Sequence, residues 1–187
     1  MKMYFVALAS VFFISATSLR ADLLGTTVNG SLTFNGGSVN YFDAANGFVP
    51  ARFGNSTSPN NVTIGSGVEF GFNDGVNRDI ANFGANTLLV RDVCLLSGVC
   101  GSAPFLMRFT DLAFASASLT SNELGINFSF SGNVLTINFP GGVVPDSNAT
   151  ATFLIGTAAQ TPEPGTMALV ATGVLGAAGV LRRRLVA

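Results

Sequence analysis

Between residues 22 and 160 the chain alternates apolar and polar positions in short runs, with little helical periodicity. Residues 26–34 (TTVNGSLTF) alternate from Val28 onward. Residues 62–72 (VTIGSGVEFGF) read as one strand with Val68, Phe70 and Phe72 on one face and Glu69 on the other. In residues 87–93 (TLLVRDV) the alternation begins after Leu88 and sets Arg91 among apolar neighbours. Residues 104–114 (PFLMRFTDLAF) also read as one strand, with Phe105, Met107 and Phe109 opposite Leu106, Arg108 and Thr110. The clearest hairpin is 126–139, where INFSF and VLTINF flank Ser131-Gly132-Asn133 and glycine can take the positive φ of a tight turn. Residues 150–155 (TATFLI) supply a last strand. Turn signals between these runs predict an all-β fold, an antiparallel β-sandwich or jelly-roll-like domain of about seven to ten strands. Phenylalanines at period two fit a sandwich core better than a ligand platform.

Both ends break this pattern. Residues 1–21 have the parts of a secretory signal peptide. Lys2 gives a positive start, residues 4–16 (YFVALASVFFISA) are apolar and uncharged, and small residues follow. Cleavage after Ser18 or after Ala21 fits, and the run is too short to span a bilayer as a conventional anchor. At the other end, Pro162-Glu163-Pro164-Gly165 precedes the uncharged residues 166–181 (TMALVATGVLGAAGVL), then Arg182-Arg183-Arg184. As a helix, 166–181 would be about 24 Å long, against ~30 Å of hydrocarbon. Snorkelling arginines can make up the difference and hold that side cytoplasmic. The expected flanks are therefore an N-terminal signal helix and a marginal C-terminal transmembrane helix, leaving 22–160 as one β-sandwich domain and 161–187 as a tail.

Charge and composition narrow the chemistry of that domain. It holds four arginines and no lysine against nine acids, a net charge of −5. Such a surface has no footprint for phosphate backbones, so no nucleic-acid partner is expected. The whole chain lacks histidine. That removes the commonest general base, the usual activator of Ser and Cys nucleophiles and the usual transition-metal ligand. Carboxylate-only hydrolysis remains open, with Asp43, Glu69, Asp74, Asp79, Asp92, Asp111 and Glu123 as the acids a pair would come from. None stands in a recognisable catalytic context, so the reading is not an enzyme, with no catalytic residues and no cofactor.

Three local features complete the picture. Cys94 and Cys100 enclose LLSGV, and two cysteines in an exported chain favour a disulfide over a zinc site that has no histidine to complete it. Residues 73–79 (NDGVNRD) gather oxygen ligands around a glycine, so Asp74, Asn77 and Asp79 are calcium candidates. The same composition makes an ordinary hairpin turn, and no metal site is expected. Asn29, Asn55, Asn61, Asn127 and Asn148 each begin an Asn-x-Ser/Thr sequence, read as a by-product of Asn/Ser/Thr-rich segments rather than as glycosylation sites.

The Pro162-Glu163-Pro164 motif, the glycine-studded apolar run and the arginine cluster together resemble the PEP-CTERM sorting domain, over residues 161–187. The resemblance implies recognition and processing by exosortase, a membrane-embedded, transpeptidase-like cysteine enzyme, after export by the Sec machinery. An ordinary membrane anchor has the same physics and differs only in keeping its tail. The expectation is a non-enzymatic exported protein, anchored transiently in the inner membrane and then held at the cell surface or in the extracellular matrix, in association with exopolysaccharide. The alternatives are a lectin-like carbohydrate-binding module, against which stands the absence of Trp and a single Tyr (Tyr41) in the domain, and a carboxylate-dependent hydrolase.

Overall fold

Alternation translates into strands wherever one face can be buried, and thirteen form among the described residues. The computed structural model describes residues 22–44, 60–96, 100–143, 149–158 and 172–173. The strands are β1 (Thr27–Phe34), β2 (Asp43–Ala44), β3 (Asn60–Thr63), β4 (Phe70–Asn73), β5 (Asn77–Phe83), β6 (Thr87–Cys94) and β7 (Gly101–Ser102). They continue with β8 (Phe105–Thr110), β9 (Phe114–Asn122), β10 (Asn127–Ser131), β11 (Val134–Phe139), β12 (Gly142–Val143) and β13 (Thr150–Thr157). Every pairing is antiparallel. One sheet runs β10-β11-β8-β1-β3, a second β2-β4-β5-β6-β13-β9, and β7 pairs with β12 as a short ribbon. All of this lies in the compact unit Arg20–Ala158.

The two large sheets pack face to face through phenylalanine. Phe70 of the six-stranded sheet lies 5.4 Å from Phe109 of the five-stranded one and 5.3 Å from Phe42, with Phe83 5.2 Å from Phe109. Gly30 on β1 is where Phe70 fits, because a Cβ there would fall 2.4 Å from the ring. Phe105, Met107 and Phe109 are buried and Arg108 is exposed, as the alternation predicts. The 126–139 hairpin closes through Gly132 (φ 52°) and Asn133 (φ 67°) between paired Ser131 and Val134, the two-residue geometry that matches strand twist.

Two expected strands are each broken in two. Residues 62–72 contribute β3 to one sheet and β4 to the other. The chain leaves β3 at Ile64, whose N–H donates to Thr26 O, and turns through Gly67 (φ 97°). Glu69, expected on an outer face, is instead fully buried at 0 % exposure. The Gly65 and Phe83 N–H groups donate to its carboxylate at 3.1 and 2.7 Å, fastening the crossover to β5. Residues 104–114 likewise break at Asp111, which accepts from Ala113 N–H through Oδ1 and from Phe114 N–H through its carbonyl, before β9 joins the opposite sheet.

Among the described residues no helix is long and apolar enough to cross a membrane. The expected signal helix at 1–21 lies outside the described residues, as does the expected transmembrane run 166–181 apart from the helical pair 172–173.

Candidate functional site

One end of the sandwich concentrates the polar chemistry. The β4–β5 connection is a tight turn held by its own side chains. Asn73 Oδ1 accepts from Gly75 N–H at 2.8 Å, and Asp74 Oδ1 accepts from Val76 and Asn77 N–H at 2.7 and 2.6 Å. Gly75 (φ 87°) supplies the left-handed residue that this path requires. The 73–79 segment is therefore turn only from Asp74 to Val76; Asn73 belongs to β4, and Asn77, Arg78 and Asp79 belong to β5.

Strand geometry then carries Asp79 inside. On β5 the inward positions are Asn77, Asp79, Ala81 and Phe83; on β6 they include Leu88, Val90 and Asp92. Asp79 and Asp92 are direct cross-strand partners, 1 % and 4 % exposed. Arg78 and Arg91, their chain neighbours, consequently project from the opposite face of the sheet and cannot pair with them. Among the buried side-chain atoms without a hydrogen-bond partner are Oδ1 of Asn77, Asp79 and Asp92, and Nε of those two arginines. Burial drives the Asp79 carboxyl well above its usual range, and the neighbouring charges of Asp92 and Asp74 push it the same way. Burial first, then Asp74, raises Asp92 to about 6.

An open cleft of about 410 Å³ reaches Asn77 and Asp79 of this cluster. Asp74, Asn77 and Asp79 line one side, Phe34, Tyr41 and Phe72 the floor, and residues 101–103 the other wall. That wall is tied down twice. Asn77 Nδ2 donates to Gly101 O at 3.2 Å, and the Cys94–Cys100 disulfide (Cα–Cα 5.5 Å) joins the end of β6 to the start of β7. The expected disulfide thus forms part of the cleft's frame.

Of the acids considered for hydrolysis, Asp79 and Asp92 are brought together, hydrogen-bonded to one another. That contact is closer than the roughly 5–9 Å gap of a glycosidase pair. Glu69 and Asp111 hold backbone turns, and Glu123 accepts from Thr150. Of the calcium candidates, Asn77 and Asp79 face the cleft with free oxygens, whereas Asp74 Oδ1 is spent on its turn. No three His, Cys, Asp or Glu side chains among the described residues are grouped to hold a metal by themselves. Asp92 is the member that sequence reading left out of this set. Its signal was the β5–β6 register, which follows once the turn is placed at 84–86. Tyr41 is engaged with Phe34 and Phe72 at 5.1 and 5.6 Å rather than standing alone.

The outer face of the five-stranded sheet is a second polar surface. Ser31, Arg108, Thr136 and Ser129 form one row across four strands. The Asn-x-Ser/Thr sequences at Asn29, Asn61 and Asn127 fall on this face, because i and i+2 share a side of a strand. Asn29 Nδ2 donates to Asn61 Oδ1 at 2.8 Å. Asn55 and Asn148 lie outside the described residues.

The sorting residues Pro162, Glu163, Pro164, Gly165 and Arg182, Arg183, Arg184 also lie outside the described residues. No curated protein and no solved structure matches the chain. A family model described as the PEP-CTERM protein-sorting motif matches residues 160–184, so the chain carries a PEP-CTERM sorting tail.

Proposed function

We propose that this is a non-enzymatic surface or matrix protein: exported through the Sec machinery, anchored briefly by its tail in the inner membrane, and released from that anchor by exosortase. The observation that carries the reading is the motif match at 160–184. The physics of the tail supports it. Pro162 and Pro164 disfavour helix in the preceding stretch and keep it extended for an enzyme to grip. Residues 166–181 are long enough to enter the bilayer and marginal for staying there. The arginines fix which side remains cytoplasmic. A pulse-chase in the producing bacterium tests it. The wild-type chain converts to a shorter form, and the Pro162→Ala/Pro164→Ala chain stays at its precursor mobility. Identical processing of both would rule out recognition through the motif.

The second reading is a carbohydrate-binding module acting on exopolysaccharide. The cross-strand row Ser31, Arg108, Thr136 and Ser129 supports it, because flat rows of hydroxyl donors and acceptors suit an extended neutral polymer. Against it stands the placement of the described phenylalanines largely inside the core, which leaves no stacking platform on that face among the described residues. Retention of the chain on the producing organism's own matrix polysaccharide, lost in Thr136→Ala/Ser129→Ala, favours the module; no retention removes it.

A further inference from the structure

We propose that Asp79, Asp92 and Asn77 form a calcium site at the end of the sandwich, entered through the cleft beside Asp74. Three features converge on a hard cation. First, the unpartnered oxygens Oδ1 of Asn77, Asp79 and Asp92 are all acceptors, on side chains at least nine-tenths buried. Buried acceptors left unpaired are costly, so such a group persists where something supplies positive charge. Second, the described residues supply none. Arg78 and Arg91 face outward by strand alternation, and Arg108 lies on the outer face of the other sheet. Third, the amide of Asn77 is oriented. Its Nδ2 is committed to Gly101 O, which frees Oδ1 as an acceptor beside the cleft, and the disulfide fixes the wall that carries Gly101.

The donor set selects the metal. Two carboxylates and an amide oxygen are hard ligands, no histidine exists, and both cysteines are oxidised. The remaining positions of a calcium shell fall to water or backbone carbonyls, which that ion accepts in irregular geometry; magnesium demands a near-ideal octahedron and gives up its water reluctantly. Asp74 lines the cleft as a charge that draws the cation in. With this few protein ligands the affinity belongs to the extracellular class, about 0.1–1 mM.

The test uses the full chain in mild detergent, stripped with EDTA and returned to chelator-free buffer at pH 7.5. Calcium at 10 mM should raise the folded-to-unfolded ratio about 10- to 100-fold. The melting temperature should then rise by about 4–10 °C, with a clearly smaller rise in 10 mM magnesium. Asp92→Asn and Asp79→Asn should each melt at or above the stripped wild type, because the amide keeps the hydrogen bond to the remaining carboxyl without a shared proton, and each should lose the calcium shift. If one variant fails to fold, the other and direct calcium titration of the wild type by calorimetry decide. Equal shifts with both metals, no shift, or a calcium shift that survives both substitutions would overturn the proposal.

Discussion

Gly30→Ala should destabilise the sandwich although it replaces glycine by a residue better suited to a strand. Gly30 has ordinary negative-φ strand geometry, so backbone strain is not the obstacle. The obstacle is Phe70: the new methyl would lie 2.4, 2.6 and 2.7 Å from three atoms of its ring. That ring cannot swing aside, because it is fully buried and packed by Phe42, Phe83 and Phe109. Overpacking of a filled core costs about 1–3 kcal/mol, and the entropy saved by removing glycine returns about 0.5–1 kcal/mol. A net loss near 1–2 kcal/mol corresponds to roughly 3–8 °C in melting temperature for a domain of this size. Thermal unfolding of Gly30→Ala, Phe70→Leu and the double variant measures it. Leucine is smaller, so the two changes should couple favourably by about 0.5–2 kcal/mol. A Gly30→Ala chain as stable as wild type, or strictly additive effects, would refute the face-to-face packing of Phe70 on β1.

Other consequences follow from the same geometry. Glu69→Gln replaces one of two acceptor oxygens with a donor, stranding the N–H of Gly65 or Phe83, and should cost about 1–3 kcal/mol in denaturant titration. Burial raises the Glu69 carboxyl above 4.5, so the folded chain holds that proton more tightly than the unfolded one. Its contribution is greatest below pH 4.5 and is lost as pH rises through the raised value, so the wild-type advantage over Glu69→Gln should shrink with rising pH. An advantage that grows with pH would contradict the assignment. Replacing Cys94 and Cys100 by alanine opens a short loop and should cost about 2 kcal/mol, read as a lower melting temperature that reductant no longer changes. Wild type melting identically with and without reductant would count against that bridge.

Local alternation was enough to locate β1, β6, β8, β13 and the β10–β11 hairpin and to assign the two faces of β8, because β1, β6, β8, β11 and β13 each bury one side. It failed where period two runs unbroken through a change of sheet. Val62, Ile64, Phe70 and Phe72 keep step across the turn at 65–67, so the run looks continuous although its halves pair with different partners. The glycines there were the available sign. β5 was hidden for a different reason. Its inward residues begin Asn77, Asp79 and its outward ones include Ile80, which inverts the usual polar-out pattern. A site built on that inversion depends on Asp79 facing Asp92, and pairing across strands is set by tertiary register.

The measurement that bears most directly on the whole account is the intact mass of the protein recovered from the surface or matrix of its own bacterium. The predicted species begins after Ser18 or Ala21, carries the Cys94–Cys100 bridge as a 2 Da deficit, and lacks Arg182, Arg183 and Arg184. A mature protein that keeps those three arginines at the surface would contradict sorting by tail removal.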